Sequence, residues 1–113
     1  MIIHLNTLTE WESLIEASKE KPIIVLKNSI ACAVCSAIRT MLQKAIRNGE
    51  LFTPVHMVTI QEHPEISEQI EHDTAVQHET PQVIVIRSGH PVYHRNHYDI
   101  TIQDIKDSIE RNT

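Results

Sequence analysis

Both cysteines of the chain fall in one short stretch, Cys32-Ala33-Val34-Cys35. Two thiols at this spacing suit half of a zinc site, a pair of small core residues, or a redox dithiol. The flanking residues favour the last. An apolar run, Ile23-Ile24-Val25-Leu26, leads in, and an amphipathic pattern beginning at Ala33 leads out. Strand, short loop and helix in that order put Cys32 at a helix N-terminus. There the unpaired backbone N–H groups and the positive end of the helix dipole favour a thiolate. Cys32 is therefore the expected nucleophile, its pKa drawn from about 8.5 toward roughly 4–7. Cys35, one turn further on, is the expected resolving thiol, which releases a mixed disulfide by attacking Cys32.

Other residues could serve this pair. Lys27 is a charge at the end of an otherwise apolar strand. It is either a strand-end lysine reaching solvent or an ammonium beside the Cys32 sulfur that favours the thiolate. Thr80-Pro81 stands just before another apolar strand. A cis proline there would present neighbouring backbone groups to an extended peptide or thiol lying over Cys32. Lys27, Thr80 and Pro81 are thus the candidate substrate-binding residues. Tyr93, His94 and His97 are candidates for the rim of the site, and Trp11 for the core. A zinc site would need His90, His94 or His97 to join the cysteines. Those histidines straddle a turn and a strand, which aims them in different directions, so no metal is expected.

The elements that must position these groups are legible from periodicity. The 113 residues suit one domain, 1–113, with enough chain for a hydrophobic core. Ile2–Leu5 reads as a short edge strand. A first helix buries Leu8, Trp11, Leu14 and Ile15, capped at Thr7 or, with Glu12 at capping-box spacing, at Thr9. The strand Ile23–Lys27 precedes the cysteine helix, whose apolar face is Val34, Ala37, Ile38, Met41, Leu42, Ala45 and Ile46. Gly49 fits its C-terminal cap. A strand over 54–60 follows, then a short acidic helix with Pro64 in its first turn and Ile66 and Ile70 inward. Gln82–Arg87 reads as a strand covered on both faces, Ser88-Gly89 as a turn, and Val92-Tyr93-His94 as the returning strand. A last helix capped by Thr101 buries Ile102, Ile105 and Ile109. The order is β-α-β-α-β-α-β-β-α: an α/β chain with a mixed sheet of about four strands between helices.

Composition narrows the partners. The net charge of −5 and the absence of a basic cluster argue against nucleic acid or an anionic membrane. The first residues lack the basic and long apolar regions of a secretory signal, and no run approaches the length of a membrane helix. A cytoplasmic setting is the expectation, and there a lone Cys-x-x-Cys works as a dithiol more often than as a structural bridge.

A strand, a Cys-x-x-Cys helix and a proline before a hairpin together resemble the thioredoxin fold, a three-layer sandwich. A closer resemblance spans nearly the whole chain. Val25-Leu26-Lys27-Asn28-Ser29, His78-Glu79-Thr80-Pro81-Gln82 and Val92-Tyr93-His94…His97-Tyr98-Asp99-Ile100-Thr101 are similar to the bacilliredoxins of the YtxJ type. That resemblance implies a cytosolic thiol–disulfide oxidoreductase with no bound cofactor. A low-molecular-weight thiol, bacillithiol, would be its co-substrate and S-thiolated proteins its partners. The family commonly carries Thr-Cys-Pro-Ile-Ser where this chain has Ala31-Cys32-Ala33-Val34-Cys35. The nucleophile carries over to Cys32, while Cys35 stands in place of the serine and opens a dithiol route. Leu26 stands where thioredoxin keeps a buried acid. The alternatives to an enzyme are a thioredoxin-fold adaptor with passive or sensing cysteines and a small Cys/His metal-binding protein.

Overall fold

The computed structural model describes residues 1–113. Its elements are β1 (Ile2–His4), α1 (Leu8–Ala17), β2 (Ile23–Asn28), α2 (Ala33–Arg47), β3 (Val55–Thr59), α3 (Pro64–Thr74), β4 (Gln82–Arg87), β5 (His90–Asn96) and α4 (Ile102–Arg111). A single 3₁₀ turn, His97–Asp99, joins β5 to α4. The order of elements is the one periodicity gives. The sheet has five strands rather than about four, in the order β1-β3-β2-β4-β5. The edge strand read at Ile2–Leu5 is β1, whose three residues pair parallel with β3 from Ile2↔Val55 to His4↔Met57. β2 runs parallel to β3 and antiparallel to β4, and β5 returns antiparallel to β4.

Because successive strand residues face opposite sides, the apolar run of β2 supplies two cores at once. Ile24 and Leu26 pack with Val83 and Val85 against Ile38, Leu42 and Ala45 of α2 and Ile105 of α4. Ile23 and Val25 pack with Val58, Ile84 and Ile86 against Trp11 of α1 and Ile66 and Ile70 of α3. The result is three layers, with α2 and α4 on one face and α1 and α3 on the other.

Local chemistry sets the ends of the helices. Thr7, not Thr9, caps α1: its hydroxyl accepts from the Glu10 N–H at 3.0 Å, while the Glu10 carboxylate accepts from the Asn6 N–H at 2.9 Å. Asn48 ends α2, and Gly49, at φ 74°, lets the chain turn back so that the Glu50 N–H reaches the Ala45 carbonyl at 2.8 Å. Trp11 is fully buried, and its indole N–H donates to Asp73 at 2.8 Å, tying α1 to α3.

The helix that carries the cysteines is held to the sheet by its apolar side. Leu42 has no solvent exposure. Leu42→Ala is expected to cost about 2–5 kcal/mol, a large share of a total of roughly 5–15. Gln43→Ala on the exposed side should stay within about 0.5 kcal/mol. Urea unfolding at equal m-values checks both.

Candidate functional site

The loop Ser29–Ala31 crosses from the end of β2 to the start of α2 and is fastened to residues that follow β3. The Ser29 hydroxyl accepts from Gln61 Nε2 at 2.6 Å and from the Ala31 N–H at 3.3 Å. The Ile30 N–H donates to Gln61 Oε1 at 3.1 Å. One residue earlier, the buried Asn28 donates from Nδ2 to Thr59 Oγ1 at 3.2 Å and accepts from the Arg39 guanidinium at 2.9 Å. None of Asn28, Arg39 and Gln61 was a candidate from spacing. The only signal in the sequence was a polar residue, Asn28, closing an apolar strand.

Cys32 is the N-cap of α2. Its backbone is extended (φ −137°, ψ 116°), and Sγ accepts from the Cys35 N–H at 3.2 Å, the place a serine or aspartate oxygen usually takes. Cys32 is half-buried and Cys35 is 1% exposed. Their environments push the two thiols apart. The Cys35 thiol and then the Cys35 and Val34 N–H groups lower the pKa of Cys32. Burial, and next the Cys32 sulfur as hydrogen-bond partner, raise that of Cys35, with the Ser29 N–H and Thr80 hydroxyl acting the other way. The structure thus brings the two cysteines together in different surroundings: an accessible sulfur disposed to ionise and a buried one disposed to keep its proton.

Lys27 sits elsewhere. It follows Leu26 on the pleat, so its side chain leaves the face that holds α2 and enters the face that holds α3. It is fully buried, with Nζ 3.1 Å from His78 Nδ1. His78 Nδ1 also lies 3.3 Å from the Ser67 hydroxyl, and the His78 N–H donates to Glu71 at 2.6 Å. An ammonium donating to Nδ1 requires the tautomer with its proton on Nε2. Burial lowers the pKa of Lys27, opposed by Glu71. The ammonium is not among the groups that lower Cys32. Lys27 thus reaches neither solvent nor the thiolate and lies under the segment 77–80.

That segment leads to Thr80 and Pro81. Gln82 Nε2 donates to the Gln77 carbonyl at 2.8 Å and to Asn96 at 3.0 Å, closing the segment onto β5. The Thr80–Pro81 bond is cis, with Thr80 half-buried and Pro81 buried. The Pro81 carbonyl accepts from the His97 N–H at 2.9 Å, and the His97 ring lies 3.5 Å from Glu79. Of the three rim candidates, His97 alone is held beside Pro81. Tyr93 pairs with Val85 and packs on the α2 face, while His94 pairs with Ile84 and points to the other. Tyr98, in the 3₁₀ turn that packs against α2, is 70% exposed, and Ile30 in the cysteine loop is 73% exposed. No three His, Cys, Asp or Glu side chains converge as metal ligands would. No helix is long and apolar enough to cross a membrane.

Comparison with known proteins gives the same architecture. A family model described as the monothiol bacilliredoxin BrxC matches residues 3–105. A protein provisionally described as an oxidoreductase with a thioredoxin fold superposes with a TM-score of 0.82 at 25% identity, over 95% of this chain and 92% of that one. Thioredoxin of Schistosoma mansoni gives 0.75 at 20% identity, over 99% and 95%. Thioredoxin of Fasciola hepatica gives 0.72 at 18%, over 98% and 99%.

The Lys27–His78 contact carries a pH dependence. Burial first, and then the Lys27 charge, lower the pKa of His78 below its ordinary 6.5, against Glu71 and Glu79. The unfolded chain therefore takes up this proton more readily than the folded one. The stability His78 contributes is present above about pH 6.5 and is lost as pH falls below it. His56, also lowered, acts in the same direction. Urea midpoints at pH 7.5 and 5.0 should fall further for the wild type than for His78→Gln; an equal fall would place the dependence in other groups.

Proposed function

The chain belongs to the monothiol bacilliredoxin family, and on that premise we propose that it reduces mixed disulfides between proteins and a low-molecular-weight thiol. At the coarser level it is a thiol oxidoreductase of thioredoxin fold. The observation that carries the finer reading is the Cys32 sulfur, half-exposed at the α2 N-terminus with an N–H donor at 3.2 Å and a buried second thiol behind it.

In this reading the Cys32 thiolate attacks the small-thiol sulfur of an S-thiolated protein. The S–S bond of the substrate breaks, the protein cysteine leaves as a thiolate that takes a proton from water, and Cys32 holds the small thiol. Two routes clear it. A second small thiol can attack that adduct, leaving a symmetric disulfide and free Cys32. Alternatively Cys35 loses its proton, attacks the Cys32 sulfur and expels the small thiol, leaving a Cys32–Cys35 disulfide for an external dithiol or reductase to reduce. The raised pKa of Cys35 slows its attack, and the Ser29 N–H and Thr80 hydroxyl are the groups that ease its ionisation. Thr80 and Pro81 line the approach to the pair, and Lys27 supports that segment from the opposite face without touching substrate. Bacillithiol as the small thiol, cytosolic S-thiolated proteins as substrates and a cytoplasmic setting come from the family alone.

Mass spectrometry after exposure to oxidised bacillithiol, with oxidised glutathione in parallel, tests the reading. The expected result is a bacillithiol adduct on Cys32, or rapid passage to a Cys32–Cys35 disulfide, with glutathione slower. Equal reaction would leave a general thiol oxidoreductase, and no reaction would favour a redox-inert adaptor. In the same assay Cys32→Ala should abolish reduction of mixed disulfides. Cys35→Ala should retain it and accumulate the adduct, whereas equal losses would refute the division of labour.

A further inference from the structure

Arg39 is a half-buried guanidinium with no carboxylate partner: the ion pairs of the structure are Lys19–Glu16 and three involving histidine. Its one hydrogen bond goes to Asn28 Oδ1 at 2.9 Å, and Asn28 is itself buried and held by Thr59. The guanidinium is thus fixed by a neutral amide, which leaves its charge uncompensated and most of its five N–H donors free.

Its position adds a direction. Arg39 lies four residues after Cys35 in α2, on the same helix face, and about two turns from the N-cap Cys32. Side chains on a helix lean toward its N-terminus, and the anchoring Asn28 closes β2 at the end of the sheet where the cysteine loop begins. The fixed charge is therefore drawn toward the sulfur's end of the helix. The other two bases of α2, Lys44 and Arg47, lie in its last turn, which leaves Arg39 as the base of the helix nearest the sulfur's end. With Lys27 turned to the other face, Arg39 is the remaining cation of β2 and the first half of α2.

We infer that Arg39 determines specificity by binding a carboxylate of the thiol-bearing substrate while Cys32 attacks its disulfide. The planar fork of a guanidinium matches a carboxylate, and one pre-oriented by Asn28 loses little freedom on binding. The carboxylate can belong to the small thiol or to an acidic residue beside the thiolated cysteine. The inference deepens the reading above and rests on it.

Two symmetric disulfides of similar size separate the effects: 3,3′-dithiodipropionate, which carries carboxylates, and neutral 2-hydroxyethyl disulfide. The rate of Cys32 modification would be followed by intact mass in the wild type, Arg39→Gln and Arg39→Lys. Arg39→Gln should slow the anionic disulfide roughly five- to tenfold and leave the neutral one unchanged, while Arg39→Lys recovers part of the loss. In the wild type, preference for the anionic disulfide should shrink as salt rises. A small dicarboxylate such as succinate should slow the anionic disulfide if a small thiol is the source. An acidic peptide carrying a thiolated cysteine should outpace its amidated counterpart if a protein residue is. Equal slowing of both disulfides, or of neither, would overturn the assignment, the former reducing Arg39 to a brace for the loop. Failure of the wild type to react with either disulfide would instead overturn the proposed function.

Discussion

A helix begins with N–H groups that no carbonyl of its own turn can satisfy, and the first turn of α2 supplies a sulfur to meet them. Cys32 occupies the N-cap, accepts from the Cys35 N–H and has no acidic residue in the following turn to compete with it. What the interaction needs from the rest of the molecule is placement. The helix must start a fixed distance from the end of β2, the loop between must hold one shape, and Cys35 must be covered. The two-sided core around β2 meets the first need, the Ser29–Gln61 and Asn28–Thr59 contacts the second, and packing beneath the helix start the third.

The sheet keeps two kinds of polar work apart. On the α2 face, apolar Leu26 lies in the core below the helix that carries the sulfurs, with no buried acid at that position to take a proton from Cys35. On the α3 face, the buried Lys27 meets His78, which Ser67 and Glu71 also hold, and secures the segment that runs to Thr80 and Pro81. Burying an ammonium is costly unless it is hydrogen-bonded, which is why Lys27 tolerates its place only with His78 neutral. One strand therefore supports both sides of the site: its end leads into the cysteine loop, and its lysine holds the proline segment from behind.

Most of this frame was legible in the sequence. The 3.6-residue period of α2 and the unbroken β-branched runs of β2 and β4 report burial directly, so the order of elements, the cysteine helix and the hairpin at Ser88-Gly89 follow from them. The cap of α1 was less determinate, because Thr7 and Thr9 both precede an acid at capping-box spacing and only the geometry of the turn chooses between them. Lys27 had two readings, a strand-end lysine reaching solvent and an ammonium beside Cys32, and the alternation of the pleat gives neither, sending it into the buried α3 face. Gln61 and Arg39 gave no sequence signal, since each acts through a contact with the end of β2 that exists only once β3 and α2 have docked. The pairing of Cys32 with Cys35 needed no tertiary information, because two residues joined by one helical turn are neighbours in any helix.

A family described as monothiol here has a member with a second thiol one turn behind the first, and the structure separates the two by exposure and by charge preference. The difference in ionisation is the central claim. Its most direct measure is the rate of alkylation of each cysteine by iodoacetamide across pH 4 to 11, resolved by peptide mass spectrometry. Cys32 should reach half its maximal rate below the roughly 8.5 of an ordinary thiol, and Cys35 only above it. Coincident profiles near that value, or earlier reaction of Cys35, would contradict the capped thiolate on which the proposed chemistry depends.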